Sequence, residues 1–492
     1  MNREDYERQY EQYRYMRENA QTDRKRLHYH LMAPSGWLND PNGLCQLGDT
    51  CHIYFQYTPF RAGWGTKLWG HYTTRDWICF QEQEPFLFPD CPWDRDGAYS
   101  GSAFVKEGEV HFFYTGNVKL LDKPYDYVTE GREQNTIHVV SKDGCCPGEK
   151  RLVLTNEDYP KDMSKHVRDP KIYERDNRYY MVLGGRERED KGCALLFVSD
   201  DLEQWSYYDR LTTEKAFGYM WECPDLFDLD GQTLLMVCPQ GVEKKGYKYQ
   251  NLYQCGYFPV KFDPEKGLCR LGDFQELDYG FDIYAPQTFR DAKGRRILIG
   301  WMAVPDAKYR YDATVCKDWI HGLTMPRVLS FENGRLMQRP MEEMKRLRIS
   351  RCQDRMESLP KWRTKDSCFE LQIQAGSPLK ELRLQLREDV YVIYRNQKLT
   401  LLMGESGQGR GERTIELEQL TELTVFSDTS SLEIFVNDGE TVLTSRVFGE
   451  NEMQQVQILS ARGEGRAEFY ELSAYKTEWI CGAESLLLTG AQ

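Results

Sequence analysis

The segment RYYMVLGG, residues 178–185, is one of five similar segments that together decide the fold of this chain. Each is a run of aromatic and aliphatic residues that follows a turn-forming pair, the pattern of a β-strand entered from a hairpin. The others are CHIYFQY (51–57), HFFYTG (111–116), TLLMVCPQG (233–241) and RRILIGWM (295–302). Their starts lie 55 to 67 residues apart, which leaves room for four strands per repeat. Five such repeats predict a five-bladed β-propeller.

A polar cluster lies just upstream of each repeated segment, where another strand should run toward the propeller axis. The clusters are NDPNG (39–43), YSGS (99–102), RDP (168–170), ECP (222–224) and YAPQ (284–287). Taken alone, NDPNG is typical of a simple β-turn. If every blade begins near the axis, however, all five clusters meet at one mouth of the central channel. Three of them then bring a carboxylate there: Asp40, Asp169 and Glu222.

The chain of 492 residues is too long for one hydrophobic core and divides into three regions. Residues 1–27 are highly charged, and Tyr6, Tyr10 and Tyr13 fall on one helical face, which predicts an N-terminal helical extension with a docking stripe. Residues 28–348 hold the propeller repeats. Residues 355–486 alternate in the β manner without that repeat, which indicates a β-sandwich. The predicted fold is therefore all-β: a five-bladed β-propeller followed by a C-terminal β-sandwich.

Charge and composition exclude several classes of function. A net charge of −13 argues against a nucleic-acid partner, because such proteins present a basic surface. No run of 18 apolar residues occurs, so no membrane span is expected. The charged N-terminal stretch does not resemble a secretory signal, and 15 cysteines without a C-x-x-C pair indicate reduced thiols. We therefore expect a cytoplasmic protein.

Three carboxylates around a pocket have three common uses: binding a cation, cleaving a glycosidic bond, or pairing structurally with arginine. The apolar neighbours in Trp221–Cys223 should help Glu222 keep a proton. Asp169 follows Arg168 directly and should stay ionised, whereas the amide donors around Asp40 favour a nucleophilic anion. Such different surroundings favour glycoside hydrolysis over a cation site, where all three groups would be ionised alike.

The motifs resemble those of glycoside hydrolase family 32, which includes invertases, sucrose-6-phosphate hydrolases and fructanases. The resemblance covers nearly the whole chain from about His28. It rests on WLNDPNG (37–43), with Leu38 in place of the more usual Met, and on YFQYTPF, YSGSA, RDP, ECPDLF, GFDIYAPQTF and SSLEIFVNDGE. The family more often has Phe at the position of Tyr99.

This resemblance implies retaining hydrolysis of terminal β-D-fructofuranosides. By position, Asp40 is the nucleophile, Glu222 the acid/base, and Asp169 the residue that stabilises the transition state through fructose hydroxyls. The expected substrate-binding residues are Trp37, Asn39, Gln56, Trp64, Tyr99, Ser100, Arg168 and Trp301. No cofactor is implied. His28 and His30 could present two imidazoles on one strand face, but no third ligand is apparent, so we expect no metal site.

For a cytoplasmic enzyme, the expected substrate is sucrose or sucrose 6-phosphate. The alternatives are short fructo-oligosaccharides or a non-catalytic propeller that only binds carbohydrate. Lys308 and Arg310 follow Trp301 closely and could bind a phosphate or an outer sugar, although such charged runs usually form a solvated loop. We expect no membrane partner, and the oligomeric state stays open, a homodimer being one option.

Overall fold

The structure is a computed structural model that describes residues 1–263, 268–449 and 453–479. Strands dominate these ranges, and the one long helix in them is α1 (Arg3–Gln21). None of their helices combines the length and the apolar character needed to cross a membrane. All cysteines within the described ranges are free thiols.

The first three blades each contain four antiparallel strands. Blade 1 consists of β1 (Gly36–Leu47), β2 (Thr50–Thr58), β3 (Leu68–Thr74) and β4 (Cys79–Leu87). Blade 2 consists of β5 (Ala98–Lys106), β6 (Glu109–Lys119), β7 (Arg132–Ser141) and β8 (Arg151–Leu154). Blade 3 consists of β9 (Met163–Arg175), β10 (Arg178–Glu187), β11 (Gly192–Ser199) and β12 (Ser206–Leu211).

Two further blades complete the propeller. Blade 4 consists of β13 (Met220–Leu229), β14 (Gln232–Gln240), β15 (Gly256–Asp263), β16 (Leu268–Leu271) and β17 (Gln275–Glu276). Blade 5 consists of β18 (Tyr284–Arg290), β19 (Arg296–Trp301), β21 (Arg327–Glu332) and β22 (Arg335–Pro340). Between β19 and β21 the chain forms the short α2 (Asp312–Val315) and β20 (Trp319–Ile320), which pairs in parallel with β1 of blade 1. The predicted five-bladed propeller is confirmed.

The repeated segments are the second strand of each blade, and the polar clusters lie on the first strand. Tight turns with positive φ at both central residues join the two strands at Glu107-Gly108, Asp176-Asn177 and Asp230-Gly231. This turn geometry matches the right-handed twist of paired strands. The first strands β1, β5, β9, β13 and β18 lie side by side around the axis, so the five polar clusters share one end of the channel.

In every blade the pairing of the first two strands is interrupted by a register shift at the polar cluster. The shifts fall on 39–40, 99–100, 169–170, 223–224 and 285–286. Proline lies at or just after four of them, where its missing N–H breaks the ladder. A bulge lets neighbouring side chains point to the same side of the sheet, so each cluster can direct two residues into the channel.

Helix α1 packs on blade 1. Asn2 caps its N-terminus by accepting from the Asp5 backbone N–H at 2.8 Å. The Tyr6 ring lies 5.4 Å from Phe60 and 5.6 Å from Phe88, centroid to centroid. Two hydrogen bonds of 2.6 and 2.7 Å join Arg17 to Glu82 on β4. The tyrosine stripe is thus an internal docking surface on the propeller.

The sandwich contains two sheets of six strands around its own apolar core. Its strands are β23 (Cys352–Arg355), β24 (Lys361–Lys365), β25 (Phe369–Ala375), β26 (Glu381–Arg387), β27 (Val390–Arg395), β28 (Lys398–Met403), β29 (Glu412–Glu416), β30 (Glu422–Asp428), β31 (Ser431–Val436), β32 (Thr441–Arg446), β33 (Met453–Arg462) and β34 (Gly465–Glu471). Short 3₁₀ turns occupy Glu342–Leu347, Met356–Ser358 and Glu405–Gly407. The predicted sandwich is confirmed.

The domain bounds 1–27, 28–348 and 355–486 stay a prediction. Two strands at the ends of the sandwich region bear on them. The first sandwich strand begins at Cys352, slightly before the expected start. The last strand, β35 (Lys476–Trp479), pairs in parallel with β4 of blade 1 and not with the sandwich. Residues 480–486 lie outside the described residues. The chain therefore returns to the propeller after completing the sandwich.

Candidate active site

A cavity of about 420 Å³ lies where the first strands of the five blades converge. All three predicted carboxylates line it, as do most of the predicted sugar-binding residues. Those residues are Asn39, Gln56, Trp64, Tyr99, Ser100, Arg168 and Trp301. The sequence clusters of five different blades thus meet in one site.

Trp37 does not line the cavity and instead supports it from behind. Its indole Nε1 donates to Asn39 Oδ1 at 2.9 Å, and its ring packs 5.0 Å from that of Trp64. The Asn39 side-chain amide in turn donates to Asp40 Oδ1 at 3.0 Å. Trp37 therefore orients the residue that orients Asp40, and its expected direct contact with substrate stays a prediction.

Asp40 is held in one orientation by donors on both carboxylate oxygens. Ser100 Oγ donates to Oδ2 at 2.5 Å, opposite the Asn39 bond to Oδ1. Burial raises the pKa of Asp40 above its ordinary value, while the bonds from Ser100 and Asn39 lower it in part. The carboxylate is thus fixed in direction but only partly compensated in charge, a state suited to attack on an electrophilic carbon.

Asp169 differs from its sequence-based expectation. Its backbone lies in the left-handed region, with φ of 64°, so it sits at the bulge of β9 beside Arg168 without pairing closely with it. The closest approach of Arg168 Nε to Asp169 Oδ2 is 3.9 Å. Burial raises the pKa of Asp169 to about 7, against a partial lowering by Arg168. Burial therefore opposes ionisation of Asp169, and the charge of its neighbour Arg168 offsets this effect only in part.

Arg168 instead pairs with Glu222 on the next blade. Its Nη2 lies 2.6 Å from Glu222 Oε1. The other oxygen, Oε2, accepts from Gln240 Nε2 and from the Tyr284 hydroxyl, each at 2.6 Å. The expectation that Glu222 lies in apolar surroundings is therefore wrong. Trp221 points into the core of the blade, and three donors from three different strands bind the Glu222 carboxyl group.

Cys223 lies between the carboxylates of Asp40 and Asp169, with its sulfur 3.8 and 3.7 Å from their oxygens. Its backbone N–H donates to Asp169 Oδ2 at 3.0 Å. Burial and the two neighbouring carboxylates raise the pKa of this thiol well above its ordinary value. The thiol therefore stays protonated and lies within weak hydrogen-bonding distance of both acids, which does not suit a nucleophile.

Sequence reasoning missed seven polar or aromatic residues that line the cavity: Lys67, Tyr127, Arg132, His166, Gln240, Tyr284 and Asp306. Tyr284 belongs to the YAPQ cluster, and Gln240 ends the repeated segment of blade 4, so their positions in the repeat could have identified them. His166 lies on β9 two residues before the RDP cluster, so that cluster could also have indicated it. No comparable signal marks the other four, which come from loops or from the start of a strand.

Two basic residues expected near the pocket lie outside it. Lys308 and Arg310 are exposed and do not line the cavity, although Pro305 and Asp306 just before them do. The Arg310 backbone N–H donates to the carbonyl of Gln408, so this segment contacts the sandwich. The exposed positions of Lys308 and Arg310 fit the interpretation of this segment as a solvated loop.

His28 and His30 also lie away from the cavity, at the interface between propeller and sandwich. His30 Nδ1 contacts Asp428 at 2.7 Å and its Nε2 contacts Glu433 at 2.9 Å. The His28 ring lies 3.3 Å from the thiol of Cys368. Both nitrogens of His30 are occupied by carboxylates, so its role is an ion pair within the fold.

The fold and the site together identify the class of enzyme to which this protein belongs. The carboxyl groups of Asp40 and Glu222, each held by donors on both oxygens, line one cavity together with aromatic side chains. This is the equipment for breaking a glycosidic bond with two acidic residues, and it identifies a propeller-type glycoside hydrolase.

The comparison with known families agrees with this class. Residues 30–340 match the profile described as the Glycosyl hydrolases family 32 N-terminal domain, and residues 339–476 match the one described as Glycosyl hydrolases family 32 C terminal. The chain belongs to glycosyl hydrolase family 32. The resemblance drawn from its motifs is confirmed.

Individual relatives match over most of their length. A sucrose-6-phosphate hydrolase of Bacillus subtilis (strain 168) is 38% identical over 446 residues, which cover 87% of this chain and 90% of that protein. A sucrose-6-phosphate hydrolase structure from Lactobacillus gasseri is 28% identical, with a TM-score of 0.84 and coverage of 94% and 96%. A Bombyx mori β-fructofuranosidase structure is 29% identical, with a TM-score of 0.83 and coverage of 98% and 100%.

Proposed function

We propose that this protein is a retaining β-fructofuranosidase that hydrolyses the terminal fructosyl bond of sucrose or sucrose 6-phosphate. The observation that carries the proposal is the convergence of Asp40, Asp169 and Glu222 in one cavity. The names of the most similar relatives support this substrate class. We also propose a cytoplasmic location, because the free thiols suit a reducing compartment and a phosphorylated sugar does not cross membranes unaided.

In the first step, an Asp40 oxygen attacks the anomeric carbon C2 of the fructosyl unit. The bond from C2 to the glycosidic oxygen breaks, and Glu222 transfers its proton to that oxygen as glucose leaves. The product of this step is a fructosyl ester of Asp40. The Ser100 and Asn39 donors hold the attacking carboxylate in line during this displacement.

In the second step, Glu222, now ionised, removes a proton from a water molecule. The resulting hydroxide attacks C2, the ester bond to Asp40 breaks, and fructose leaves with its original configuration. The Arg168, Gln240 and Tyr284 contacts keep the Glu222 carboxyl group facing the same point in both steps. Asp169 stabilises the positive charge that develops on the fructosyl ring, through hydrogen bonds to its hydroxyls.

The proposal is tested with two matched substitutions in the same blade. Asp40→Asn should lower kcat on sucrose by about 10⁴-fold or more, because an amide cannot form the ester intermediate. Asp49→Asn makes the same chemical change at a turn whose side chain is 75% exposed, and should leave kcat unchanged. Full activity in Asp40→Asn, or no hydrolysis of either sugar by the wild-type protein, would reject this function.

A further inference from the structure

The cavity contains a positive charge that the proposed reaction does not use. Arg132, the first residue of β7, lines the cavity and is only 6% exposed. Among the described residues its guanidinium forms no ion pair with a carboxylate, and its Nε has no hydrogen-bond partner. A buried charge left without a counter-charge costs several kcal/mol. Unpaired buried charges of this kind are often found at functional sites, where a charged ligand can bind.

The ring of Tyr127 covers this guanidinium. The Arg132 guanidinium carbon lies 3.6 Å from the centroid of the Tyr127 ring. The rings of Tyr127 and His166 form an edge-to-face pair with their centroids 6.1 Å apart. We call Tyr127, Arg132 and His166 the basic corner. Tyr127 is 42% exposed, so the corner lies toward the rim of the cavity and not at its floor.

Arg132 and His166 present hydrogen-bond donors in the basic corner. His166 Nδ1 lies 3.0 Å from Arg168 Nη1, which can only donate, so the proton of the neutral ring is on Nε2. That Nε2 has no partner among the described residues. Burial and Arg168 lower the pKa of His166 to about 2, so the ring is neutral, whereas burial and Arg168 lower that of Arg132 only to about 10. At neutral pH the corner is a single cation with a neutral donor beside it, which suits an anion.

The position of the corner relative to Glu222 defines which part of a substrate reaches it. Arg168 bonds Glu222 through Nη2 and His166 through Nη1, so one arginine side chain separates the acid from the corner. The acid protonates the departing sugar. Because Arg132 lines the same cavity as Glu222, a charged substituent on the departing sugar is within the reach of the basic corner.

We propose that the basic corner binds the phosphate of a phosphorylated disaccharide, with Arg132 gripping two phosphate oxygens and His166 Nε2 donating to a third. This inference rests on the proposed function, which supplies the sugar that carries the phosphate. Arginine suits this task because its planar fork matches two oxygens at once. A local cation is also needed because the net charge of −13 repels a dianion at long range.

Kinetics with matched variants test this assignment. We expect Arg132→Gln to lower kcat/KM for sucrose 6-phosphate at least tenfold more than for sucrose, because a charged hydrogen bond is lost only with the phosphate. Arg132→Lys should recover part of the difference. Arg310→Gln removes the same charge from an exposed position outside the cavity and should change neither constant. An equal loss on both sugars in Arg132→Gln would overturn the proposal.

Direct binding separates this inference from the proposed function. In the Asp40→Asn background, calorimetry should give a dissociation constant for sucrose 6-phosphate at least tenfold below that for sucrose, and Arg132→Gln should abolish this difference. A difference that survives Arg132→Gln would overturn the basic corner even if both sugars are cleaved. Inorganic phosphate provides the third arm: it should compete with sucrose 6-phosphate in the parent variant, and failure to compete would likewise argue against the corner.

Discussion

Two groups of buried carboxylates in this protein differ in how closely cations approach them. At the interface between propeller and sandwich, His30 lies between Asp428 and Glu433, and all three side chains are at most 1% exposed. Arg327 forms a further ion pair with Glu433 at 2.5 Å. Burial alone would raise the pKa of Asp428, but the hydrogen bond and charge of His30 lower it well below its ordinary value.

The cavity also contains cations, yet they stand apart from most of its acids. Arg168 pairs with Glu222, but Lys67 Nζ has no hydrogen-bond partner among the described residues and lies 4.9 Å from the rings of Trp37 and Trp64. Burial lowers the pKa of Lys67 to about 7, against the opposing effect of Asp40. Charges of both signs are therefore present but largely unpaired.

This contrast separates a structural cluster from a functional one better than acidity or burial does. Close pairing stabilises the ionised carboxylates at the interface. Separation in the cavity leaves Asp40 and Asp169 with raised pKa values and leaves room for a ligand between the charges. Substitutions in the two clusters should therefore have different effects on activity and stability.

The largest expected effect compares one substitution in both clusters. Glu222→Gln should lower kcat on sucrose by about 10²- to 10⁴-fold, the usual contribution of a general acid/base, and should also lower the melting temperature because it leaves Arg168 without its ion-pair partner. Glu433→Gln should lower the melting temperature and leave kcat of the folded enzyme unchanged. Steady-state kinetics and calorimetry on both variants measure this. Similar kinetic losses in the two variants would remove the distinction between the clusters.

The next effect concerns the stability of the interface. His30→Gln removes a cation between two buried carboxylates and should cost about 3–5 kcal/mol of stability. Burial opposes the charged ring, but Asp428 and Glu433 raise the pKa of His30 to about 9. Its contribution is therefore complete below its ordinary pKa of 6.5 and is lost as pH rises through 9.

Thermal unfolding between pH 6 and 10 measures this contribution. The wild type should lose more stability than His30→Gln across that range. His111→Gln is the control, because His111 is half-exposed on blade 2 and forms no ion pair among the described residues. Parallel pH curves for the wild type and His30→Gln would contradict a charged His30.

Replacing Asp169 should have the opposite effect on stability to replacing His30, although both groups make the protein less stable as pH rises. Its pKa rises from 3.8 to about 7 in the folded protein, so the native state binds more protons than the unfolded chain between these values. Stability therefore falls as pH rises from 4 to 7, and Asp169→Asn should recover at most about 4 kcal/mol at pH 7 while lowering kcat. Calorimetry at pH 4.5 and pH 7 checks this: a variant less stable than the wild type at pH 7 would show that Asp169 is paired after all.

The smallest effect concerns the support behind Asp40. Trp37→Phe keeps the aromatic packing but removes the indole donor to Asn39, a neutral hydrogen bond worth about 0.5–1.5 kcal/mol. We expect kcat/KM to fall about three- to tenfold. Trp205→Phe removes an indole donor that bonds a backbone carbonyl in blade 3, outside the cavity, and should have no such effect. An unchanged kcat/KM in Trp37→Phe would mean that Asn39 needs no support.

Local sequence patterns predicted the repeat, the propeller and the convergence of Asp40, Asp169 and Glu222, because strand pairs and their turns depend on neighbouring residues. They did not predict which partner Arg168 takes, because that depends on the left-handed backbone at Asp169 and on the approach of the next blade. Arg132 reaches the cavity from a strand end that carries no motif, and long-range packing alone brings it there. The same holds for β35, whose return to blade 1 has no local signal.

The most direct test of the two carboxylate roles is the anomeric configuration of a product whose α and β forms do not interconvert in water. When the enzyme acts on sucrose in the presence of methanol, the fructosyl ester of Asp40 should pass its sugar to methanol from the same face that glucose left. Nuclear magnetic resonance of the product should then show methyl β-D-fructofuranoside. Formation of the α-anomer would contradict a covalent intermediate on Asp40 and with it the roles assigned to both carboxylates.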